Sequence, residues 1–272
     1  MTSLPKLMGI LNVTPDSFSD GGQFFAAEAA IEHGQRLVEE GADILDVGGE
    51  STRPGAEEVS VDEEMARVCV VIEALKKVVP VPISVDTRKP EVAHAAVTAG
   101  AKIWNDVSAL TFSEKSVDVA RNLAGNFDCD LVLMHSKGSP ETMQNDPTYD
   151  DVVAEVSAFL VRRLDVCLAA GIARARVMID PGIGFGKTLD HNLTLMMSLG
   201  RLGEIAPVLL GASRKSFIGK IDDANGTRRS DDRIGGSIAA ALAGMRQGVN
   251  VLRVHDVAAT RQALNVAQKL GF

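Results

Sequence analysis

Aromatic side chains are scarce in this 272-residue chain, at 4% with one Trp and one Tyr. Aliphatic residues must fill whatever core it builds, and a hydrophobic fraction of 46% is enough for a sizeable one. Cysteines are few too. Cys69, Cys129 and Cys167 lie far apart with no CxxC and no Cys/His cluster, which disfavours structural disulfides and a zinc site. No apolar run approaches the ~20 residues needed to span a bilayer. The N-terminal apolar run is broken by Asn12 and Pro15, so no signal peptide is evident. These absences predict a soluble, cytoplasmic protein. Basic residues are outnumbered, and the net charge of -8 argues against a sequence-independent nucleic-acid binder. An anionic small molecule remains open as a ligand, because Lys and Arg gathered in one cleft can set the local field.

Three familiar motifs are missing as well. Gly186-Lys187-Thr188 resembles the end of a P-loop, but Pro181 stands at the required first glycine. Gly182-Ile183-Gly184 opens a GxGxxG whose last position is Lys187. Gly211-Ala212-Ser213-Arg214-Lys215 lacks the fifth-position glycine of a nucleophile elbow. ATPase, Rossmann dehydrogenase and serine hydrolase readings therefore lose their motif support.

What the chain has is alternation between short apolar runs and amphipathic stretches. Strands are predicted over 7–13, 44–47, 82–85, 103–104, 130–134, 177–179, 207–210 and 249–254. Helices are predicted over 26–40, 61–79, from about 90, and over 116–123, 151–170, 189–199, 232–246 and 256–270. Pro90 suits a first helical turn and Gly171 a helix end. Eight βα units with no composition shift predict an α/β chain, a single (β/α)8 TIM barrel spanning 1–272. A doubly wound open sheet is the weaker alternative, since no Gly-rich first turn follows the first strand.

The organising stretch is 177–187, where an apolar run ends in Asp180 and breaks into Pro181 and three glycines. A buried strand that delivers a carboxylate to a loop mouth needs donors around it. The pattern recurs: Asn12, Asp46, Asp86, Asn105, His135, Asp180, Lys215, Arg253 and His255 all fall at predicted strand ends. Any one of these could be a turn former, but together on the C-terminal rim of a barrel they predict a small-molecule site. Asp86, Asn105 and Asp180 suit a heterocycle edge rich in N–H groups, such as an aminopyrimidinone. Arg253, His255 and Asn12 lie where the last and first strands close, a recurrent phosphate position. Asn12 offers a neutral oxygen to Mg2+, which commonly takes few protein ligands plus phosphate oxygens. Two Gly/Ser/Pro-rich loops, 13–22 with Phe18 and 48–55 with Arg53, are predicted to hang over the site as lids.

The segments GILNVTPDSFSDGG, DILDVGGESTRPGA, PISVDTRKPEVA, WNDVSAL, DPGIGFGKT, LLGASRKSFIG and VLRVHDV together resemble the bacterial dihydropteroate synthase family, from Gly9 to beyond Asp256. The resemblance implies a Mg2+-dependent TIM-barrel transferase of folate biosynthesis and a homodimer. It would condense 6-hydroxymethyl-7,8-dihydropterin diphosphate with 4-aminobenzoate, and sulfonamides would mimic the second substrate. By motif, Asp86, Asn105 and Asp180 resemble the pterin-pocket residues, with Lys215, Met134 and Gly211 beside the ring. Asn12 resembles the residue near metal and diphosphate, and Arg253 and His255 the diphosphate anchors. Thr52, Arg53 and Pro54, with Phe185, Ser213 and Lys215, resemble the aminobenzoate site, which Phe18 and Asp20 would complete on closure. Asp180, Lys215, Asp20 and Arg53 are the implied catalytic residues. The chain departs from the family at Ser136 and Lys137, a change expected to leave these residues untouched. A corrinoid-linked methyltransferase and a non-catalytic pterin-binding homologue are the alternatives. The first lacks a need for Arg253 and His255, and the second would have lost Asn12, Arg53, Lys215 or Arg253.

Overall fold

The computed structural model describes residues 4–13, 22–51, 58–138, 143, 146–222 and 229–271, without the side chains of 22–26 and 231. Phe18, Asp20, Thr52, Arg53 and Pro54 lie outside the described residues.

Eight parallel strands alternate with helices. They are β1 Lys6–Asn12, β2 Ile44–Gly48, β3 Ile83–Asp86, β4 Ile103–Asp106, β5 Asp130–Met134, β6 Val177–Asp180, β7 Leu209–Leu210 and β8 Val251–Val254. The sheet order is β6-β5-β4-β3-β2-β1-β8-β7, and a parallel bridge between Ile179 and Val208 joins its two edges. That makes a (β/α)8 barrel. Its weakest seam is β6–β7. Pro207 has no N–H to give, so its carbonyl takes the Ile179 N–H at 2.9 Å and the ladder shrinks to that bridge. The predicted four-residue strand over 207–210 is accordingly only two residues long.

The long helices sit where the apolar spacing places them: α1 Gly22–Glu39, α2 Val61–Val78, α3 Pro90–Ala99, α4 Ser116–Asn126 and α5 Val152–Ala169. After β6 come α6 Leu189–Met197 and a short α7 Leu199–Leu202, then α8 Ser216–Ile221, α9 Ile234–Arg246 and α10 Val257–Lys269. Asp151 caps α5, accepting from the N–H groups of Val153 and Ala154 at 3.0 Å each. Thr188 and His191 form a reciprocal cap on α6, with His standing where Glu or Gln is usual. Among the described residues no helix is long and apolar enough to cross a membrane.

Strand alternation sorts the side chains into two shells. The outward set, including Leu7, Leu45, Val85, Trp104, Leu131 and Ile179, packs beneath the helices in one continuous core. The inward set begins at the barrel floor with Met8, Ile44, Ile103, Val132, Leu209 and Val251, which form a separate buried cluster sealed by Met178. Two residues further along, the inward positions of four strands turn polar, at Asp46, Asn105, Asp180 and Arg253, while Ile10, Met134 and Gly211 stand at that level on three others. The floor is thus dry and closed, and charge appears only toward the C-terminal end.

Candidate active site

Inward-facing polar groups gather at the C-terminal mouth in two sets. The first centres on Arg253. Its Nε donates to Asp46 Oδ2 at 2.6 Å and its Nη2 to Asp86 Oδ2 at 2.7 Å. Asn105 Nδ2 donates to the same Asp46 oxygen at 3.1 Å. Asp46 is fully buried, so it holds Arg253 and Asn105 in place from below. Two carboxylates share one guanidinium, which leaves a net negative charge in a closed space. Burial pushes Asp86 up to about 7 against the pull of Arg253, with Asp46 adding to the rise. Burial weakens the charge on Arg253, but Asp46 and Asp86 outweigh it and raise its pKa.

Three acceptors in this region lack a protein donor. Asp86 Oδ1 is buried with no hydrogen-bond partner, as is Asp46 Oδ1 among the described residues. Asn105 gives an amide N–H to Asp46, and no donor reaches its own carbonyl oxygen among the described residues. Asp86 and Asn105 are register partners on adjoining strands and therefore present their acceptors side by side.

The second set centres on Asp180, whose Oδ1 accepts from the Gly182 N–H at 2.7 Å. Burial raises its pKa, and Lys215 pulls the other way. Lys215 is itself lowered to about 8 by burial, with Asp180 resisting. The Lys215 ammonium donates to the Ile183 carbonyl and lies 4.5 Å from the centroid of the Phe185 ring. Gly211 marks where the two sets meet. A methyl placed there would sit 3.7 Å from Asp180 Oδ2, 3.9 Å from Arg253 Cδ and 3.9 Å from Lys215 Nζ. Those are ordinary contact distances, so Gly211→Ala should fold with a melting temperature within a few degrees of the parent. It should nonetheless lose most of its affinity for any flat ring seated there, which a direct titration would measure.

The loop carrying Ser213 and Lys215 is fastened from outside the mouth. Arg214, held at φ 57, forms a forked pair with Asp256 at 3.0 and 2.6 Å. Ser213 Oγ accepts from the His255 N–H at 3.2 Å and shares a 3.0 Å hydrogen bond with its Nδ1. A further buried cluster lies at the root of the second loop, where Lys89 binds Glu64 at 2.6 Å and Glu50 at 2.8 Å. Arg88 adds a 3.1 Å contact to Glu50.

Of the sequence-derived set, Asp86, Asn105, Met134, Asp180, Phe185, Gly211, Ser213, Lys215, Arg253 and His255 fall at the mouth. Asn12 ends β1, with an exposed side chain. His135 does not join them. Met134 faces inward, so the next residue faces out, and the His135 ring packs edge-on against Phe159 at 4.9 Å. The main-chain carbonyl of Lys137 lies close against Gly186, next to Phe185. The sequence places Asp46 on the rim but does not show that it holds Arg253 and Asn105, though a carboxylate inside a buried four-residue run needs such donors.

The sequence matches the family described as pterin binding enzyme over residues 8–255. It is 48% identical over 274 residues to the dihydropteroate synthase of Neisseria meningitidis serogroup B, covering 98% of this chain and 93% of that relative. Among solved structures it resembles a dihydropteroate synthase of Xanthomonas albilineans with 4-aminobenzoic acid. That match has a TM-score of 0.90 and 50% identity, covering 98% of this chain and 94% of the other. The dihydropteroate synthase of Xanthomonas albilineans in complex with 7,8-dihydropteroate gives 0.87 and 48%, with the same coverage.

Proposed function

The chain belongs to the pterin-binding enzyme family, among its dihydropteroate synthases, and from that premise we infer how its barrel mouth works. It condenses 6-hydroxymethyl-7,8-dihydropterin diphosphate with 4-aminobenzoate, giving 7,8-dihydropteroate and diphosphate. The observation that carries the assignment of roles is the buried, donorless oxygen of Asp86 beside its register partner Asn105, with Asp180 opposite and Gly211 leaving space between. A pterin edge supplies the missing N–H groups, and their arrival offsets the cost of buried, unpaired oxygens. Met134 is the apolar wall of that pocket.

In the reaction the bond from the exocyclic CH₂ to the diphosphate oxygen breaks, and its electron pair leaves with diphosphate. The dihydropterin ring carries the positive charge until the aromatic amine forms the new C–N bond and sheds its extra proton to solvent or diphosphate. Asp180 stabilises that charge from a buried position, where a fixed carboxylate acts strongly. Lys215 keeps Asp180 ionised and holds the Phe185 ring, against which the aminobenzoate packs beside Ser213. Arg253 has its Nε and Nη2 engaged by Asp46 and Asp86, so Nη1 is its contact for the diphosphate, with His255 alongside. Phe18, Asp20, Thr52, Arg53 and Pro54 complete the second-substrate side. A sulfonamide would compete there.

Mg2+ fits this donor set. Among the described residues no three His, Cys, Asp or Glu side chains could hold an ion alone, while Asn12 offers an exposed neutral oxygen at the end of β1. Such an ion would take Asn12 with diphosphate oxygens and water, and would neutralise charge on the leaving group. We also propose a cytoplasmic homodimer. Cys69, Cys129 and Cys167 are all unpaired thiols, as a reducing compartment requires. The neighbouring helices α6, α8 and α9 expose Met197, Ile221 and Ile234 for a partner to cover.

The deciding assay gives the purified protein the pterin diphosphate and Mg2+, with and without 4-aminobenzoate. Dihydropteroate should form, matched by diphosphate release, only with both substrates. Tight pterin binding without any release would instead mean a binding homologue.

A further inference from the structure

Lys187 stands outside every role assigned so far, yet it is one of the largest fully buried side chains in the molecule, 2% exposed. No carboxylate pairs with it among the described ion pairs. Its ammonium donates to the Phe185 carbonyl at 2.9 Å and contacts His135 Nδ1 at 3.0 Å and the His135 carbonyl at 3.4 Å. Three hydrogens thus meet three acceptors, one on its own loop and two at the end of β5. Asp180 favours the charge from a distance, but a buried cation with no carboxylate in contact is costly, and an apolar side chain of similar length would fill the space at less expense to the fold. Burial and the nearby Lys215 lower Lys187 to about 7, and burial together with Lys187 lowers His135 to about 3, so the imidazole is neutral and can accept at Nδ1.

What a lysine supplies there, and a methionine does not, is a three-point hold, on two main-chain carbonyls and one imidazole nitrogen. The loop it holds has little conformational preference of its own. Gly182, Gly184 and Gly186 all take positive φ, at 66°, 85° and 64°. The loop lies flush on the β5 end: a Cβ at Gly182 would fall 1.9 Å from the His135 carbonyl, and one at Gly186 2.3 Å from that of Lys137. Side chains fix it instead. Tyr149 donates to the Gly186 carbonyl at 2.9 Å, and Asn192 accepts from the Gly184 N–H at 2.7 Å. Lys187 is the anchor nearest Phe185, and the same loop offers the Ile183 carbonyl to Lys215.

We propose that Lys187 is a positioning residue for the second substrate: by clamping the Phe185 carbonyl to the end of β5, it sets the Phe185 ring and the Ile183 carbonyl against Lys215. This rests on the aminobenzoate reading of Phe185 given above. The clamp acts chiefly on the Phe185 side of the mouth: Asp46 holds Arg253 and Asn105, and Arg253 holds Asp86. The loop's bond to the pterin set, from the Gly182 N–H to Asp180, lies at its start, next to β6 and away from Phe185.

The test is steady-state kinetics of Lys187→Met with each substrate varied in turn, beside the wild-type protein and a thermal melt. Losing hydrogen bonds from a charged donor should raise KM for 4-aminobenzoate by roughly 10- to 100-fold. KM for the pterin diphosphate should stay within about twofold, the smallest change such assays separate from a lost contact. Unchanged KM for 4-aminobenzoate, or an equal rise in both KM values, would overturn the proposal in favour of a purely structural lysine. Should Lys187→Met fail to fold, His135→Leu decides, since it removes one of the three acceptors and should shift the same KM by a smaller factor; no shift overturns the proposal. Wild-type protein that forms no dihydropteroate removes the functional reading and this inference together, whereas active wild type with unshifted variants removes the inference alone.

Discussion

Asp180→Asn is expected to lower kcat on the order of 10²–10³-fold, while affinity for inorganic diphosphate stays within about twofold, as expected where no interaction with that ligand is removed. The substitution keeps shape and removes charge. Gly182 loses only the better half of its acceptor, and Asp180 makes no ion pair in the described structure that would be broken outright. The loss therefore falls on the transition state, where positive charge on the ring needs a buried anion close by. Lys215 provides an internal check. Asp180 opposes the burial that lowers it to about 8. Without that carboxylate Lys215 should give up its proton at lower pH, and the alkaline limb of the rate profile should move down with it. Calorimetric titration of diphosphate beside stopped-flow turnover would decide. Equal losses in both would mean that Asp180 serves ground-state binding.

Arg253→Met is expected to cost about 3–5 kcal/mol of stability at pH 8, because it leaves Asp46 and Asp86 buried with no cation. The deficit should shrink on acidification. Asp86 has a folded-state pKa near 7, above its ordinary value, so the folded protein binds that proton more tightly than the unfolded chain. Its contribution to stability is fully present below the ordinary carboxylate pKa and is lost as pH rises through about 7. Arg253 is what lowers Asp86, so its removal drives the carboxyl further up and increases what the variant gains from protonation. Urea unfolding at pH 8 and at pH 5.5 measures the gap between variant and parent. A gap of constant size would mean that Asp86 is not the group left stranded. Activity should be lost at both values, since the diphosphate contact and the hold on Asp86 both go with Arg253.

Much of this architecture was readable in the linear chain, for a physical reason. Parallel strands buried on both faces must be short apolar runs, and their ends are the only places a polar residue can reach the mouth. Asp86, Asn105, Asp180 and Arg253 could be found that way. Their partners could not: Arg253 reaches Asp46 across 207 residues and Asp86 across 167. His135 was misread by position, although alternation after the inward Met134 already turns it outward. Lys187 looks like a solvent-facing loop lysine until the end of β5, 52 residues earlier, is folded against it. The short helices α7 and α8, four and six residues long, carry too few turns for any period to be seen. Phe18, Asp20, Thr52, Arg53 and Pro54 rest on motif alone.

The single Trp has an optical consequence. Trp104 is fully buried, and its indole N–H donates to the Thr87 carbonyl at 2.7 Å. Thr87 follows Asp86 and Trp104 precedes Asn105, so the chain's one strong fluorophore bridges the two strands that carry the open acceptors. An indole in a dry setting emits at short wavelength, where a dihydropterin absorbs. A ring seated against Asp86 and Asn105 should therefore quench this emission by energy transfer, with no dye attached and no second emitter of the same kind to blur the signal. Unfolding moves the same band to the red, so one spectrometer setting follows both occupancy of the mouth and collapse of the barrel around it.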